Sequence, residues 1–287
     1  MSKNVPKRHE KSKVSTNFSS QHLLINDRIV QDLIDLAKIN STDTVLDIGA
    51  GTGAITFPLA EIAASVLAIE NDPGFVRKLA SKIQDKTNIR IHQMDVLQLN
   101  LPRKPFSVVA NIPYSITTPI LGKLLDVPTV HLQRAALIVE KGAAKRFTAV
   151  PITNPRILAW RMWFDFKLVR SVSSSHFSPP PRVESAILTV SRKKKPAVPP
   201  HHHIRFKALA ANGLRLPQLP LVAALVEVFT PPQIAKLARM FGIDRNQPIG
   251  HLTEEQWGQL FLAMLQHVES YRWPKIPKNF RTHKKKR

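Results

Sequence analysis

At 287 residues with 43% hydrophobic composition, the chain can bury an ordinary core, as one large domain or one plus a smaller one. It has no cysteine, which excludes disulfides, thiolate metal sites, a cysteine nucleophile and iron–sulfur chemistry. The formal net charge of +22 is concentrated in basic tracts at residues 1–14, 192–195 and 275–287, with about +7 left on the body, and basic arms of this kind predict a polyanionic partner, most simply nucleic acid.

The N-terminal stretch is charged and has no apolar segment behind it, so it does not read as a secretory signal, and no apolar run approaches a membrane span. A cytoplasmic protein is expected, with residues 1–14 as a basic tail and a first domain over 15–192. Apolar residues at 29, 30, 33, 34, 36 and 37 predict an amphipathic helix from Asn26 to Ile39, with Asn26 as its cap. Strands and helices then alternate: strand 44–49, helix 54–62, strand 65–70, helix 73–84, then strands at 89–94, 106–110 and 135–140. This order predicts a parallel sheet covered on both faces. Residues 166–172 and 184–190 read as a hairpin-like pair around the proline-rich "HFSPPPRV", closing the sheet with an antiparallel edge. At 193–203 the composition breaks into charge, proline and three histidines. With no Cys, Asp or Glu nearby, that stretch reads as a solvated linker rather than a metal site. Capping boxes at Thr230–Gln233 and Thr253–Gln256 then predict a small helical domain over 204–274, ahead of a basic tail at 275–287.

"VLDIGAGTGAI" (45–55) places a glycine-rich turn between a strand and a helix. Gly49, Gly51 and Ala54 satisfy the dinucleotide fingerprint, so a nicotinamide cofactor is one reading. Asp47 just before the glycines would repel a pyrophosphate but could hold an ammonium group. Glu70 at the next strand end suits ribose hydroxyls. Asp95 at the third strand end suits an adenine amino group. S-adenosylmethionine carries an ammonium, a ribose and an adenine and no phosphate, and these carboxylates match it. Each residue also has a plain structural reading: a tight turn for the glycines, a surface acid for Glu70, a helix cap for Asp95.

The fourth strand runs into "NIPY", Asn111 to Tyr114, at the sheet edge where ligands bind in open α/β folds. An exocyclic amine on a base is a poor nucleophile because its lone pair is delocalised into the ring. Two acceptors aimed at its N–H bonds favour the tetrahedral geometry of attack. The Asn111 side-chain oxygen and the Ile112 carbonyl are candidates, with Pro113 fixing the turn. Tyr114 offers a face on which an unstacked base can rest.

"SSQHLL", "LDIGAGTGAI", "AIEND", "QMDVL", "NIPYSITTPI", "VEKGAAKRF" and "HFSPPPRVESA" together resemble the ribosomal RNA adenine N6-methyltransferases, over about residues 15–270. The combination is most similar to the Erm group, which confers macrolide–lincosamide–streptogramin B resistance. The resemblance implies a Rossmann-like, seven-stranded S-adenosylmethionine-dependent domain with a small all-helical C-terminal RNA-binding domain. It also implies a monomer acting on one adenine of 23S rRNA, protein-free or in early assembly, with no metal. It places cofactor contacts on His22, Leu24, Gly49, Glu70, Asp95 and Asn111, the catalytic motif on Asn111, Ile112, Pro113 and Tyr114, and a second aromatic near the base on Phe177. Where the family often has Asn-Phe, this chain has His22-Leu23, so only a backbone contact carries over there. The alternatives are the 16S rRNA dimethylase of ribosome assembly and an inactive RNA-binding factor on the same fold.

Overall fold

The computed structural model describes residues 22–83 and 86–277. The basic tail expected at 1–14, and residues 278–287 of the second tail, lie outside them. In chain order the main elements are β1 (Leu23–Leu24), α1 (Asp27–Ala37), β2 (Thr44–Ile48), α2 (Thr56–Ala60), β3 (Ser65–Glu70), α3 (Pro73–Ala80), β4 (Ile89–Gln93), β5 (Phe106–Asn111), α4 (Thr117–Leu125), β6 (Leu132–Glu140), α5 (Lys141–Thr148), α6 (Pro155–Trp163), β7 (Phe164–Val172), β8 (Phe177–Ser178), β9 (Ser185–Arg192), α7 (His203–Gly213), α8 (Leu221–Ala224), α9 (Pro231–Met240) and α10 (Glu254–His267).

Seven strands form one sheet in the order β4-β3-β2-β5-β6-β9-β7, and β1 pairs with β8 in a separate two-stranded ribbon. Pairs from β4 to β6 are parallel, while β9 is antiparallel to both β6 and β7. The reversed strand is therefore inserted second from the edge, and the edge strand β7 runs with the parallel set. The expected antiparallel pair does close the sheet, with its second strand rather than its first lying next to β6. Strand alternation sends Val45, Val66, Val109, Ile138 and Ile187 to α1 and α2, and Leu46, Ile48, Val108, Leu137 and Val139 to the opposite helices.

Asn26 caps α1 through Ile29 N–H, and both expected capping boxes are formed. The helices after the glycine turn and after Pro73 are shorter than their patterns predict, at Thr56–Ala60 and Pro73–Ala80. The expected linker is not a solvated tether. Val198 is fully buried, and Trp163 Nε1 donates to its carbonyl at 2.8 Å. The His202 ring packs edge-on to Phe261. Helices α7 to α10 share one apolar core with α4 to α6 and the sheet. Asp126, at the end of α4, reinforces the junction, accepting bonds from Arg156 and Trp160 of α6 and facing Lys207 of α7. The basic tract at 192–195 also loses a member to structure. Arg192 lies over the Phe164 ring and donates to the carbonyls of Pro128, Val130 and Leu132, capping the loop before β6 rather than facing a polyanion.

Candidate active site

A cavity of about 190 Å³ opens where β2, β3, β4 and β5 end. It is lined by His22, Leu23, Gly49, Gly51, Glu70, Asp95 and the whole of Asn111 to Tyr114, together with Ile48, Ile69, Asn71, Met94, Val96 and Ile116. Gly49 and Gly51 adopt φ of +76° and +55°, so the turn after β2 needs glycine at both positions. A Cβ on Gly51 would also sit 2.9 Å from the Leu23 side chain. The turn is held by Glu70, which is buried. Its Oε2 accepts from Gly51 N–H at 2.9 Å, and its Oε1 accepts from Asn71 and Asp72 N–H at 2.8 Å each. A carboxylate offers about four acceptor positions, so one remains for a hydroxyl in the cavity. Asp95 is the cap of a short 3-10 turn, with Oδ1 accepting from Leu97 N–H at 2.8 Å. Its plain structural reading holds, and it also stands on the cavity wall.

Asn111 is the last residue of β5. Its Nδ2 donates to the His22 carbonyl at 2.6 Å. A carbonyl can only accept, so the amide nitrogen must face His22 and Oδ1 must point away. Among the described residues neither that Oδ1 nor the Ile112 carbonyl accepts a hydrogen bond. The N-terminal segment that supplies His22 is tied down by β1–β8 pairing, by His22 Nδ1 against the Pro179 carbonyl at 2.8 Å, and by Ile25 N–H to the His176 carbonyl at 2.9 Å. Tyr114 is half-buried, its ring 6.1 Å from that of His22 and its hydroxyl 2.5 Å from Ser185 Oγ. Burial raises the phenol above its ordinary range; the Ser185 bond opposes this and the Glu140 charge adds to it, so the ring is neutral near pH 7.

Three expected site residues stand elsewhere. Asp47 alternates with Ile48 and so turns away from the main cavity. It is 1% exposed, and its Oδ2 accepts from Thr56 Oγ1 at 2.6 Å, while Oδ1 has no partner among the described residues. Burial pushes its carboxyl up to about 7, with the Thr56 bond opposing the rise and the Glu70 charge adding to it. It borders a much smaller hollow of about 20 Å³ shared with Gly49 and Asn111. Leu24 borders that hollow too. Leu23 borders both that hollow and the main cavity, whereas Leu24 is absent from the main cavity wall. Phe177 pairs with Leu24 and is 2% exposed within the α1-side core, which removes it from the cavity wall. Ser185 and His176 were invisible as site-supporting residues in the sequence, because only tertiary contact joins them to Tyr114 and Asn26.

A family model described as ribosomal RNA adenine dimethylase matches residues 12–266. The chain belongs to that family. It is 45% identical over 264 residues to an rRNA adenine N-6-methyltransferase of Bacillus licheniformis, covering 92% of each chain. It is 35% identical over 190 residues to a ribosomal RNA small subunit methyltransferase A of Streptococcus thermophilus, covering 62% of this chain and 65% of the relative. In fold it matches the crystal structure of the 23S rRNA methyltransferase ErmE, with a TM-score of 0.75 at 24% identity, over 85% of this chain and 99% of that one. The protein is thus an S-adenosylmethionine-dependent rRNA adenine N6-methyltransferase with a Rossmann-like domain, and its substrate is RNA. The methyl donor of this family replaces the nicotinamide reading. No helix among the described residues is long and apolar enough to cross a membrane.

Proposed function

We propose that the protein methylates the exocyclic N6 of one adenine in 23S rRNA, in the cytoplasm, and so confers macrolide–lincosamide–streptogramin B resistance. The observation that carries the chemistry is the forced orientation of the Asn111 amide. With Nδ2 committed to the His22 carbonyl, Oδ1 is left as a free acceptor on a residue that lines the cavity together with Ile112. Two such acceptors take the two N–H bonds of the target amine and favour the tetrahedral nitrogen of the transition state. Tyr114 supplies a stacking face for the extruded adenine, since its phenol is neutral and tied to Ser185. No general base is required, because the amine loses its proton after its lone pair has been used.

The cavity fits S-adenosylmethionine. Glu70 retains one acceptor position for a ribose hydroxyl and Asp95 stands at the neighbouring strand end; outside the main cavity, Asp47 with its orphaned Oδ1 borders the small hollow that shares Gly49 and Asn111 with it, where a cationic amine would satisfy the carboxylate. The bound cofactor supplies an electrophilic methyl on a sulfonium centre. His22 contributes its backbone carbonyl to the orientation of Asn111, and its ring is not needed for that.

The choice of 23S over 16S rRNA is supported by the motif resemblance to the Erm group and by the shorter reach of the likeness to a named small-subunit enzyme. The match to the Bacillus licheniformis relative runs over 92% of the chain, whereas that to the small-subunit enzyme stops at 62%. Primer extension on both rRNAs from cells expressing the protein tests it. A new stop in 23S rRNA, absent with an Asn111→Ala variant, is expected. A stop in 16S rRNA alone would replace this reading with the ribosome-assembly dimethylase.

A further inference from the structure

The helical C-terminal unit carries a feature that the methyl-transfer site does not use. An open groove of about 540 Å³ runs between α7 and the segment after α10, and it shares no residue with the cavity at the strand ends. Its walls include Asn212, Arg215, Glu227, Tyr271, Arg272 and Lys275. Tyr271 is 84% exposed, the most exposed large hydrophobic residue described. That exposure is built in, because the segment around it is pinned. Arg272 donates to the carbonyls of Val226 and Glu227, Trp273 Nε1 donates to the Val268 carbonyl at 2.8 Å, and the Arg205 guanidinium lies 5.0 Å over the Trp273 ring. The phenol ring therefore projects from a rigid support.

The charge of the groove is one-sided. Glu227 is its one acid among those six, and its carboxylate is already engaged by Asn212 at 3.2 Å and Arg215 at 3.5 Å. Arg215, Arg272 and Lys275 leave a net positive rim. Pro277 is also on the groove wall, and the sequence after it, 278–287, holds six more Lys/Arg and no acid. An exposed ring among cations is the chemistry that holds single-stranded nucleic acid: bases stack on the ring while phosphates take the charges.

We propose that this groove is a second RNA-binding site, with Tyr271 as a stacking platform for an unpaired nucleotide of the rRNA outside the target adenine, and Lys275 and the arginines as phosphate contacts. It rests on rRNA being the substrate and not on which subunit's rRNA is methylated. The groove adds affinity and leaves the chemical step alone.

Binding of the full-length protein to protein-free 23S and 16S rRNA fragments, measured across a salt series, tests it. Tyr271→Ala should weaken binding about 5-fold or more, the lower range for losing one base–aromatic stack. Tyr271→Phe should restore wild-type affinity. Lys275→Gln should make the log–log salt slope shallower by about 0.7–0.9. Turnover at saturating RNA should be unchanged in all three, with thermal melting used to check folding. Wild-type affinity in Tyr271→Ala, or equal losses in the Ala and Phe variants, would overturn the stacking role. A loss seen only with protein-containing ribosomal particles would overturn the RNA assignment and mark the groove as a protein contact.

Discussion

The sheet domain and the helical C-terminal unit treat polar groups in opposite ways. Among the described residues the buried polar or charged side chains are Asp47, Thr56, Glu70, Ser107, Thr117 and Ser185, all between β2 and β9. The helical unit, from α7 onward, has none in that class, and its one clearly sheltered cation, Lys207, faces Asp126 at the junction. Burying a carboxylate is costly unless it is paired or hydrogen-bonded. The sheet domain accepts that cost at Asp47 and Glu70 beside the cavity, and the helical unit has no comparable site to maintain. The methyl transfer proposed for the sheet domain is thus assigned to hydrogen-bonded, partly buried groups, and the RNA affinity proposed for the second unit to groups in water.

That contrast breaks most decisively at Asn111. Asn111→Ala should lower single-turnover methyl transfer by about 100-fold or more, the effect of losing one preorganised polar group. In the same assay Tyr114→Ala should cost far more than Tyr114→Phe. Near-wild-type turnover in Asn111→Ala would reduce the motif to a structural turn.

Next in size is Glu70. Glu70→Ala removes three bonds to backbone N–H groups together with the acceptor proposed for the ribose, and should weaken S-adenosylmethionine binding by about 1.5–3 kcal/mol. Unchanged affinity by calorimetry would sink the ribose assignment. The junction between the two units gives an effect of similar size on stability alone. Burial would raise Asp126, but Arg156, Trp160 and Lys207 outweigh it and hold it below the usual carboxylate range. Asp126→Ala leaves Lys207 half-buried without its partner. It should lower unfolding free energy by about 2 kcal/mol, below the range for a fully buried pair because water reaches this one. Methyl transfer per folded molecule should be retained. A two-step melt in that variant would show that the shared core does not couple the units.

Asp47 sharpens the comparison through pH. Its folded value of about 7 lies above the ordinary 3.8, so between roughly pH 4 and pH 7 the folded state holds the extra proton. The contribution of this group to stability falls as pH rises through that window, and Asp47→Asn should flatten the curve there. If the ionised carboxylate takes the cofactor's ammonium, affinity should rise with pH through about 7, and the Asn variant should lose that rise. The smallest expected effect is that of Ser185→Ala, about 2–10-fold on methyl transfer, for one net hydrogen bond. The chain has two tyrosines, so with Tyr271→Phe as background an ultraviolet titration reports Tyr114 alone. Loss of the Ser185 bond, which holds the phenol's pKa down, should push its titration still higher. An unmoved titration would mean that the bond is not formed in solution.

Much of this was legible in the sequence because it depends on local chemistry. Period-two runs with both faces apolar give the parallel strands, Asn26 and the two capping boxes give helix starts, and glycines at 49 and 51 give the turn that only glycine allows. Glu70 and Asp95 at successive strand ends, and Asn-Ile-Pro-Tyr after the next strand, follow from the rule that ligands sit at those ends. What the sequence could not supply was direction across the fold. Strand alternation turns Asp47 away from the main cavity, whose wall takes Leu23 and not Leu24. The pairing of β1 with β8 buries Phe177, and β9 slots between β6 and β7 because its partners are chosen by the whole sheet. The stretch at 193–203 carries the composition of a tether, yet it is packed because Val198 finds a fully buried place beside Trp163. The orientation of Asn111 belongs to the tertiary structure alone. It is set by a carbonyl 89 residues away, and no local pattern encodes that contact.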